Sequence, residues 1–277
     1  MRVVERPAID RAAFANRYGP WAVIAGASDG SGAAYAEELA RMGISVVLVS
    51  RRQEALDTLG KRLAQTYGIQ YRAVAVDLMS SGAGTRIVDA VADLDVGLYI
   101  SNAGADGSGN GFLDAPLERS LRVLTMNSQT VIEAVHGLGN RFKARGRGGV
   151  VLMSSLSGMG GQPWLAMYAA TKGFEINLAE SLYAELRGQG VDVLGVGAPT
   201  MDTPSLRKAI EGIGWDISHA YDPADVAAVV LAKLGKQPMY FFPDGPEEAQ
   251  IPEIEEQRRI RLEAMIAYAA QYDGSAQ

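Results

Sequence analysis

The chain has 277 residues, a formal net charge of −6, a hydrophobic fraction of 48% and no cysteine. Without cysteine there are no disulfides, thiolate metal ligands or thiol catalysis, and no metal site is predicted. The acidic balance argues against nucleic acid as a partner, because phosphate binding requires a basic face. The N-terminal residues carry several charges and no long apolar run, so neither a signal peptide nor a membrane span is predicted, and a cytoplasmic protein is expected.

A glycine-rich turn follows the first strand-like segment, residues 21–25, and leads into an alanine-rich helix predicted to end near Met42. A polar lead-in, residues 1–20, precedes them. Strand, glycine turn and helix together can cradle a dinucleotide, because glycine lets the backbone approach the pyrophosphate at the positive helix N-terminus. The alternative is an ordinary loop. The turn residues predicted to bind the cofactor are Gly26, Ser28, Asp29, Gly30, Ser31 and Gly32.

The end of the second predicted strand, residues 45–49, indicates which dinucleotide binds. Ser50 stands where an acidic residue would bind the ribose hydroxyls of NAD, and Arg51 and Arg52 follow it. Arginine at this place accommodates the 2′-phosphate of NADP, so the sequence favours NADP(H), chiefly through Arg51. Asp29 in the glycine turn weakens this prediction. Two solvated arginines at a helix start are the alternative.

Strand and helix patterns continue to alternate without a linker-like break. Further helices are predicted at residues 53–67, 85–94, 116–144, 168–188, 222–234 and 253–272, and further strands at 70–76, 96–100, 150–153, 191–197 and 239–242. Repeated strand–helix units with right-handed crossovers give a parallel sheet covered on both faces. We therefore predict an α/β fold: a single Rossmann-like, doubly wound domain over residues 1–277, with about seven strands.

The clearest chemistry lies in residues 150–173, where an apolar strand ends in two serines and a glycine-rich loop enters a helix. Tyr168 and Lys172 are four residues apart in that helix, so they share one face. A lysine ammonium that close favours the phenolate, which brings a tyrosine toward the range in which acid–base catalysts work. Ser155, thirteen residues before Tyr168, stands at the strand end, where open α/β sheets bind ligands.

This spacing of serine, tyrosine and lysine resembles the signature of the short-chain dehydrogenase/reductase family. The resemblance covers residues 18–234 and includes Gly-x-x-x-Gly-x-Gly at 26–32 and Ser-Asn-Ala-Gly at 101–104, where the family usually has Asn-Asn-Ala-Gly. Residues 18–23, 29–30 and 35–39 are most similar to 17β-hydroxysteroid dehydrogenases and very-long-chain 3-oxoacyl-CoA reductases. Those relatives usually carry membrane segments, and none is predicted here.

The resemblance implies interconversion of a ketone and an alcohol with NADP(H). Ser155 would hydrogen-bond the carbonyl oxygen and Tyr168 would transfer the proton. Lys172 would hold the nicotinamide ribose and favour the phenolate, while Asn127, at a local helix kink, would position a water linking Lys172 to solvent. The other implied cofactor contacts are Asp77, Leu78, Asn102, Ala103, Gly104, Tyr168, Lys172, Pro199 and Thr203. Ala198 and Pro199 replace the family's Pro-Gly, which leaves the loop near the nicotinamide open.

The side chains expected around the carbonyl site are nearly all apolar, and residues 200–222 are expected to form a substrate lid. Such a pocket favours a bulky hydrophobic ketone, steroid-like or polycyclic, over a sugar. The alternative is that these side chains pack the lid against the body. Arg207 and Lys208 keep a 3-oxoacyl thioester open, since they could meet coenzyme A phosphates. The predicted substrate contacts are Ser155, Leu156, Trp164, Tyr168, Met201 and Trp215, with Met159, Leu165, Ile210, Ile213 and Ile217 around them.

Two other functions share this fold. A non-catalytic dinucleotide sensor would have no need of serine, tyrosine, lysine and asparagine together. An epimerase or dehydratase of the extended branch would normally have a longer C-terminal substrate domain. The charged C-terminal extension, residues 250–277, either folds over the lid or serves a subunit interface. A homodimer or homotetramer is expected from the resemblance alone.

Overall fold

In a computed structural model of the chain, which describes residues 2, 4–104, 111–212, 216–245 and 248–269, seven parallel strands form one sheet. The strands lie in the order β3-β2-β1-β4-β5-β6-β7. They are β1 Trp21–Ala25, β2 Ser45–Ser50, β3 Tyr71–Ala75, β4 Val96–Ser101, β5 Gly148–Met153, β6 Val191–Gly197 and β7 Met239–Phe241. The strand order reverses at β1, so the neighbouring ends of β1 and β4 form the crevice in which doubly wound sheets bind ligands. The predicted Rossmann-like α/β fold is confirmed.

Helices cover both faces of this sheet. They are α1 Arg11–Tyr18, α2 Gly30–Arg41, α3 Gln53–Tyr67, α4 Ala83–Asp89, α5 Leu117–Leu124, α6 Thr130–Arg145, α7 Ala166–Leu186, α8 Pro204–Ala209, α9 Pro223–Lys233 and α10 Ile251–Ala269. Successive strand residues point to opposite faces, so Ile24 belongs to one hydrophobic core and Val23 to the other. Both side chains are fully buried. Burial on both faces explains why the inner strands are continuous apolar runs.

The helix predicted over residues 116–144 is present but interrupted. A π-helical turn, Thr125–Gln129, separates α5 from α6 and carries Asn127. The extra residue in such a turn changes the direction of the side chains. Asn127 therefore lies in the interior, fully buried, where the sequence predicted a local kink.

The lid segment is more regular than predicted. Residues 204–209 form α8, and the Thr203 Oγ1 atom caps it by accepting a hydrogen bond from the Leu206 N–H at 3.2 Å. Threonine followed by proline is a helix-start signal, with the hydroxyl as cap and the proline in the first turn. The two ends of the segment are joined, because the Tyr221 N–H donates to the Thr200 carbonyl at 2.9 Å. The predicted lid residues Ile213 and Trp215 lie outside the described residues.

The C-terminal helix α10 packs against α7 and the end of β7. The Arg258 guanidinium donates to both carboxylate oxygens of Glu180 on α7, at 2.7 and 2.8 Å. The Glu255 carboxylate accepts a hydrogen bond from the Phe241 N–H at 2.8 Å. The helix thus extends one helical layer of the sheet. Within the described ranges, no helix is both long and apolar enough to cross a bilayer.

Candidate functional site

The glycine turn after β1 lies directly against the end of β4. The N–H groups of Asn102 and Ala103 both donate to the Ala25 carbonyl, at 3.1 and 2.9 Å. The Asn102 side-chain amide donates to the Gly26 carbonyl at 3.1 Å, and the Ser31 hydroxyl donates to Asn102 Oδ1 at 2.8 Å. Gly26 has φ 87°, and a Cβ there would lie 2.8 Å from the Ala103 nitrogen. Glycine is therefore required at this position.

The same turn offers unpaired donors at the start of α2. Asp29 is the N-cap residue of α2, but its side chain makes no capping hydrogen bond. The first N–H groups of the helix are thus free of a side-chain cap, at the positive end of the helix dipole. A backbone without side chains at Gly26 and Gly30, beside uncapped amides, fits a dinucleotide pyrophosphate.

The two arginines after β2 differ in their surroundings. Arg52 donates to the Ser28 hydroxyl oxygen at 2.8 Å and forms an ion pair with Asp29. Arg51 is exposed and takes part in none of the ion pairs found between described residues. A cleft of about 740 Å³ is lined by Arg52, Ser28 and residues of α3. Ser50, which stands where a carboxylate would bind ribose hydroxyls, accepts a hydrogen bond at its Oγ from the Arg52 N–H at 3.1 Å.

Asp77 and Leu78 follow the end of β3, at the same carboxyl edge of the sheet as the two arginines after β2. The Asp77 carboxylate accepts a hydrogen bond from the Met79 N–H at 3.1 Å, and the Leu78 carbonyl accepts one from the Thr130 hydroxyl at 2.9 Å. Asp77 is half-buried and Leu78 is buried. Their predicted contact with the adenine edge stays a prediction.

The two serines after β5 have different environments. Ser154 is buried, and its hydroxyl donates to the Lys172 carbonyl at 2.7 Å. Ser155 is half-buried, and its Oγ accepts a hydrogen bond from the Ser157 N–H at 3.2 Å. That bond occupies an acceptor site of the hydroxyl and leaves its proton for another acceptor. Ser155 is therefore arranged to donate a hydrogen bond.

A close contact between the loop and α7 sets the distance from Ser155 to the helix. Gly158 lies in the 3₁₀ turn Leu156–Met159, and a Cβ there would come within 2.7 Å of the Lys172 carbonyl carbon. Only glycine permits this approach of the turn to α7. The contact places the segment that carries Ser155 next to the first turns of α7.

Tyr168 and Lys172 share one face of α7, as the spacing predicts. The Lys172 Nζ atom lies 5.8 Å from the centroid of the Tyr168 ring. Tyr168 is half-buried, whereas the Lys172 side chain is 1% exposed. The ammonium donates hydrogen bonds inward, to the Met153 carbonyl at 2.7 Å and to Glu175 Oε2 at 2.8 Å. In this structure the lysine is thus held by the protein interior.

Asn127 meets Lys172 beneath Gly104. The Asn127 Nδ2 donates to Thr171 Oγ1 at 2.9 Å, and its Oδ1 is buried without a hydrogen-bond partner among the described residues. A Cβ on Gly104 would lie 2.6 Å from Lys172 Nζ and 3.1 Å from that Oδ1. An unpaired acceptor close to an ammonium suits a bridging water or a polar ligand group.

Glu175 belongs to this cluster and was missed from the sequence. Its side chain is fully buried, and burial raises the pKa of its carboxyl to about 7 although the Lys172 charge opposes the rise. The signal was available: a carboxylate three residues after the lysine on the same helix reaches it, and its neighbours Phe174 and Ile176 indicate burial.

The loop after β6 connects the catalytic and cofactor sides. The Ala198 carbonyl accepts a hydrogen bond from the Leu156 N–H at 3.3 Å, and Pro199 is buried. Thr203 reaches the glycine turn, since its methyl carbon lies 3.0 Å from the Cβ position of Gly30. With Ala198-Pro199 in place of Pro-Gly, the loop thus still brings Thr203 to the turn.

The predicted substrate contacts do not all face one opening. Leu156 and Met159 pack against the core on one face of the sheet, while Met201 packs against the core on the other. For these residues, packing of loop against body describes the structure better than an open apolar pocket does. Trp164 is 64% exposed with φ 62°, and Trp215 lies beyond the described part of the chain.

Comparison with known proteins places this site in context. The family model for short chain dehydrogenase matches residues 20–214. The 7beta-hydroxysteroid dehydrogenase of Collinsella aerofaciens is 32% identical over 224 residues, which cover 80% of this chain and 85% of the relative. The very-long-chain 3-oxoacyl-CoA reductase of Bos taurus is 32% identical over 236 residues, which cover 78% of this chain and 76% of the relative. A short-chain dehydrogenase from Sphingobium yanoikuyae, solved in complex with NADPH, superposes with a TM-score of 0.77 at 27% identity. The superposition covers 89% of this chain and 95% of that structure.

Proposed function

The chain belongs to the short-chain dehydrogenase/reductase family and is an oxidoreductase, and we propose that it interconverts a ketone and a secondary alcohol on a bulky hydrophobic substrate with NADP(H). One observation carries the proposal. The Lys172 ammonium lies 5.8 Å from the Tyr168 ring and, with Asn127 Oδ1, beside Gly104 at the end of β4, while Ser154, which precedes Ser155, donates to the Lys172 carbonyl. A homodimer or homotetramer is part of the proposal, by analogy with the family only.

Each of these side chains has a chemical task in the proposed reaction. The Ser155 hydroxyl donates a hydrogen bond to the substrate oxygen, and the Tyr168 hydroxyl supplies the proton in reduction or receives it in oxidation. Lys172 holds the nicotinamide ribose and places its positive charge beside the Tyr168 ring, while Asn127 Oδ1 positions a water beside the ammonium. The bound cofactor supplies the hydride at C4 of its nicotinamide. The protein positions and polarises the reactants.

The preference for NADP(H) rests on charge at the end of β2. Arg51 and Arg52 offer guanidinium groups suited to a 2′-phosphate, and Ser50 replaces the carboxylate that would bind ribose hydroxyls. Asp29 neutralises Arg52 in this structure, which makes Arg51 the principal phosphate ligand. The Sphingobium yanoikuyae structure with NADPH supports the same choice.

The 7beta-hydroxysteroid dehydrogenase relative and the exposed Trp164 favour a steroid-like or polycyclic ketone. A 3-oxoacyl thioester is the second candidate, favoured by the Bos taurus relative. Arg207, which was expected to meet coenzyme A phosphates, already donates to both oxygens of Asp202, at 2.6 Å each. Only Lys208 of the two is then left for a phosphate, so the steroid-like ketone ranks first.

The test is a substrate panel. NADPH oxidation is followed with steroid ketones, 3-oxoacyl thioesters and small aryl ketones, and kcat/KM is compared across the three classes. The proposal expects the steroid ketones to have the highest value. A best substrate that is small and polar contradicts it, and NADPH binding without turnover of any ketone favours a dinucleotide sensor.

A further inference from the structure

Lys172 and Glu175 form an ion pair deep in the protein. Their Nζ–Oε2 distance is 2.8 Å, and their side chains are 1% and 0% exposed. Removing two charges from water carries a penalty that their attraction offsets only in part, so such a pair is weak evidence for stability. A role in fixing the lysine explains it better, because the second hydrogen bond of the ammonium also points inward, to the Met153 carbonyl.

The surroundings of the Glu175 carboxylate offer it little besides this lysine. Its Oε1 is buried without a hydrogen-bond partner among described residues, and so is the Tyr99 hydroxyl of β4. Burial raises the pKa of the Tyr99 hydroxyl well above its ordinary value, Ser101 opposes the rise and the Glu175 charge adds to it, so Tyr99 stays protonated. Lys172 from α7 and Tyr99 from β4 are the charged or titratable groups that act on Glu175 in the described structure. The nearby Asn127 and Thr171 are neutral.

The position of the ammonium conflicts with its task. The Lys172 Nζ atom lies beside the opening at Gly104, but two of its three N–H groups are engaged on the inner side, which leaves one for both the nicotinamide ribose and Tyr168. If the ammonium turns outward, Glu175 is left as an unpaired carboxylate in a dry interior. A carboxylate in that situation binds a proton, because its charged form has lost its only compensating cation.

We propose that Glu175 is a positioning residue that retains Lys172 in the interior, and that filling the nucleotide site releases the lysine while Glu175 takes up one proton from solvent. The inference rests on the proposed function, since it assumes that Lys172 contacts the nucleotide. It adds a proton-linked step to binding.

The direction and size of the effect follow from linkage. Glu175 has a pKa of about 7 while Lys172 pairs with it, and the pKa rises further when the lysine leaves. Binding therefore takes up protons, and affinity is highest at low pH. At about pH 8, roughly nine-tenths of Glu175 is ionised before binding, so up to about 0.9 of a proton is taken up for each nucleotide bound. The affinity for the nucleotide then falls by up to roughly tenfold for each pH unit above about 7.

The experiment counts protons by isothermal titration calorimetry of NADPH into the full-length protein at about pH 8, in buffers with different ionisation enthalpies. The 2′-phosphate, with a second pKa near ~6, is already a dianion at this pH and contributes no uptake. The variants are Glu175→Gln and, as a matched control on the same helix, Glu180→Gln. Glu180 pairs with Arg258 at the surface and lies outside the proposed site. NADH is titrated in parallel, because it lacks the 2′-phosphate but shares the nicotinamide ribose.

The wild type and Glu180→Gln are expected to take up more than half a proton, and Glu175→Gln close to none. Binding by the wild type without proton uptake overturns the inference and leaves the proposed function standing, even if Glu175→Gln fails to fold. Equal uptake in wild type and Glu175→Gln also overturns it, because another group is then responsible. If neither nucleotide binds, the proposed function itself is wrong, and this inference with it.

Discussion

The catalytic centre and the substrate side of this molecule are built in different ways. Around Lys172, polar groups from β5 and the loop after it, the π-helical turn and α7 meet in the interior, and four hydrogen bonds of 2.7–2.9 Å join them. On the substrate side, Trp164 is 64% exposed, and a hydrogen bond between Tyr221 and Thr200 joins the two ends of the lid segment. The comparison teaches that the residues proposed for catalysis are held by buried polar contacts, whereas the proposed substrate contacts range from the exposed Trp164 to side chains that pack against the two cores.

The largest expected effect is at the catalytic centre. Tyr168→Phe removes the proton donor while keeping the ring, and we expect kcat to fall by on the order of 10²–10⁴ with NADPH still bound. Steady-state kinetics and NADPH fluorescence measure the two quantities. Tyr183→Phe, on the same helix and outside the proposed site, is the control and should keep near-normal turnover. If Tyr168→Phe also keeps it, Tyr168 is not the proton donor.

The next effect concerns cofactor choice. Arg51→Asp replaces the free guanidinium with a carboxylate that repels a 2′-phosphate, and a lost charged hydrogen bond is worth about 1.5–3 kcal/mol, or roughly 10- to 150-fold in affinity. We expect the preference for NADPH over NADH to be abolished or inverted, as measured by kcat/KM with each cofactor. Equal values for both cofactors in the wild type would contradict the proposed role of Arg51.

A smaller effect is expected on the substrate side. Trp164→Ala removes an exposed apolar surface, and burial of about 60 Å² against a ligand is worth roughly 1.5 kcal/mol, or about tenfold in KM for a bulky ketone. The Tm and the KM for a small aryl ketone should stay unchanged. Ile260→Ala, an exposed apolar change on α10, is the control. A loss of Tm without a change in KM would make Trp164 a packing residue.

The smallest effect tests the pairing of Arg52. Asp29→Asn removes the charge that holds this arginine at the surface, and surface ion pairs are worth about 0–1 kcal/mol. We expect NADPH affinity to increase by up to about fivefold, because Arg52 then becomes a second ligand for the 2′-phosphate. NADH, titrated in the same way, should show no such gain. Unchanged NADPH affinity would leave Arg51 as the sole phosphate ligand.

Much of the fold could be predicted because its physical causes are local in the sequence. The buried parallel strands are continuous apolar runs, and the glycine turn after Ala25 marks where the first strand gives way to a helix. The helix α8 was also predictable in principle, since Thr203 followed by Pro204 is a capping signal, yet it was predicted as an irregular lid. The few apolar residues between 204 and 209 do not recur at the spacing of a helix.

For the candidate site, the sequence predicts which residues belong together, and their roles stay predictions. Tyr168 and Lys172 share one helix face because they are four residues apart, and Ser155 follows the end of β5. The direction of the Lys172 ammonium could not be predicted from the spacing, because it depends on the Met153 carbonyl and on Glu175. Likewise, the pairing of Arg52 with Asp29 joins two loops, and neither sequence segment predicts it alone.

One measurement tests the central claim most directly, namely that the protein transfers hydride from nicotinamide to a bulky ketone. The wild type is incubated with NADPH deuterated at C4, separately for each face of the nicotinamide, and with the preferred ketone from the panel, and the alcohol is analysed by mass spectrometry and NMR. We expect one deuterium on the carbinol carbon, from one of the two cofactors only, with one NADP⁺ formed per alcohol. An alcohol without deuterium from either cofactor, or NADPH that binds but is not consumed, would contradict the claim.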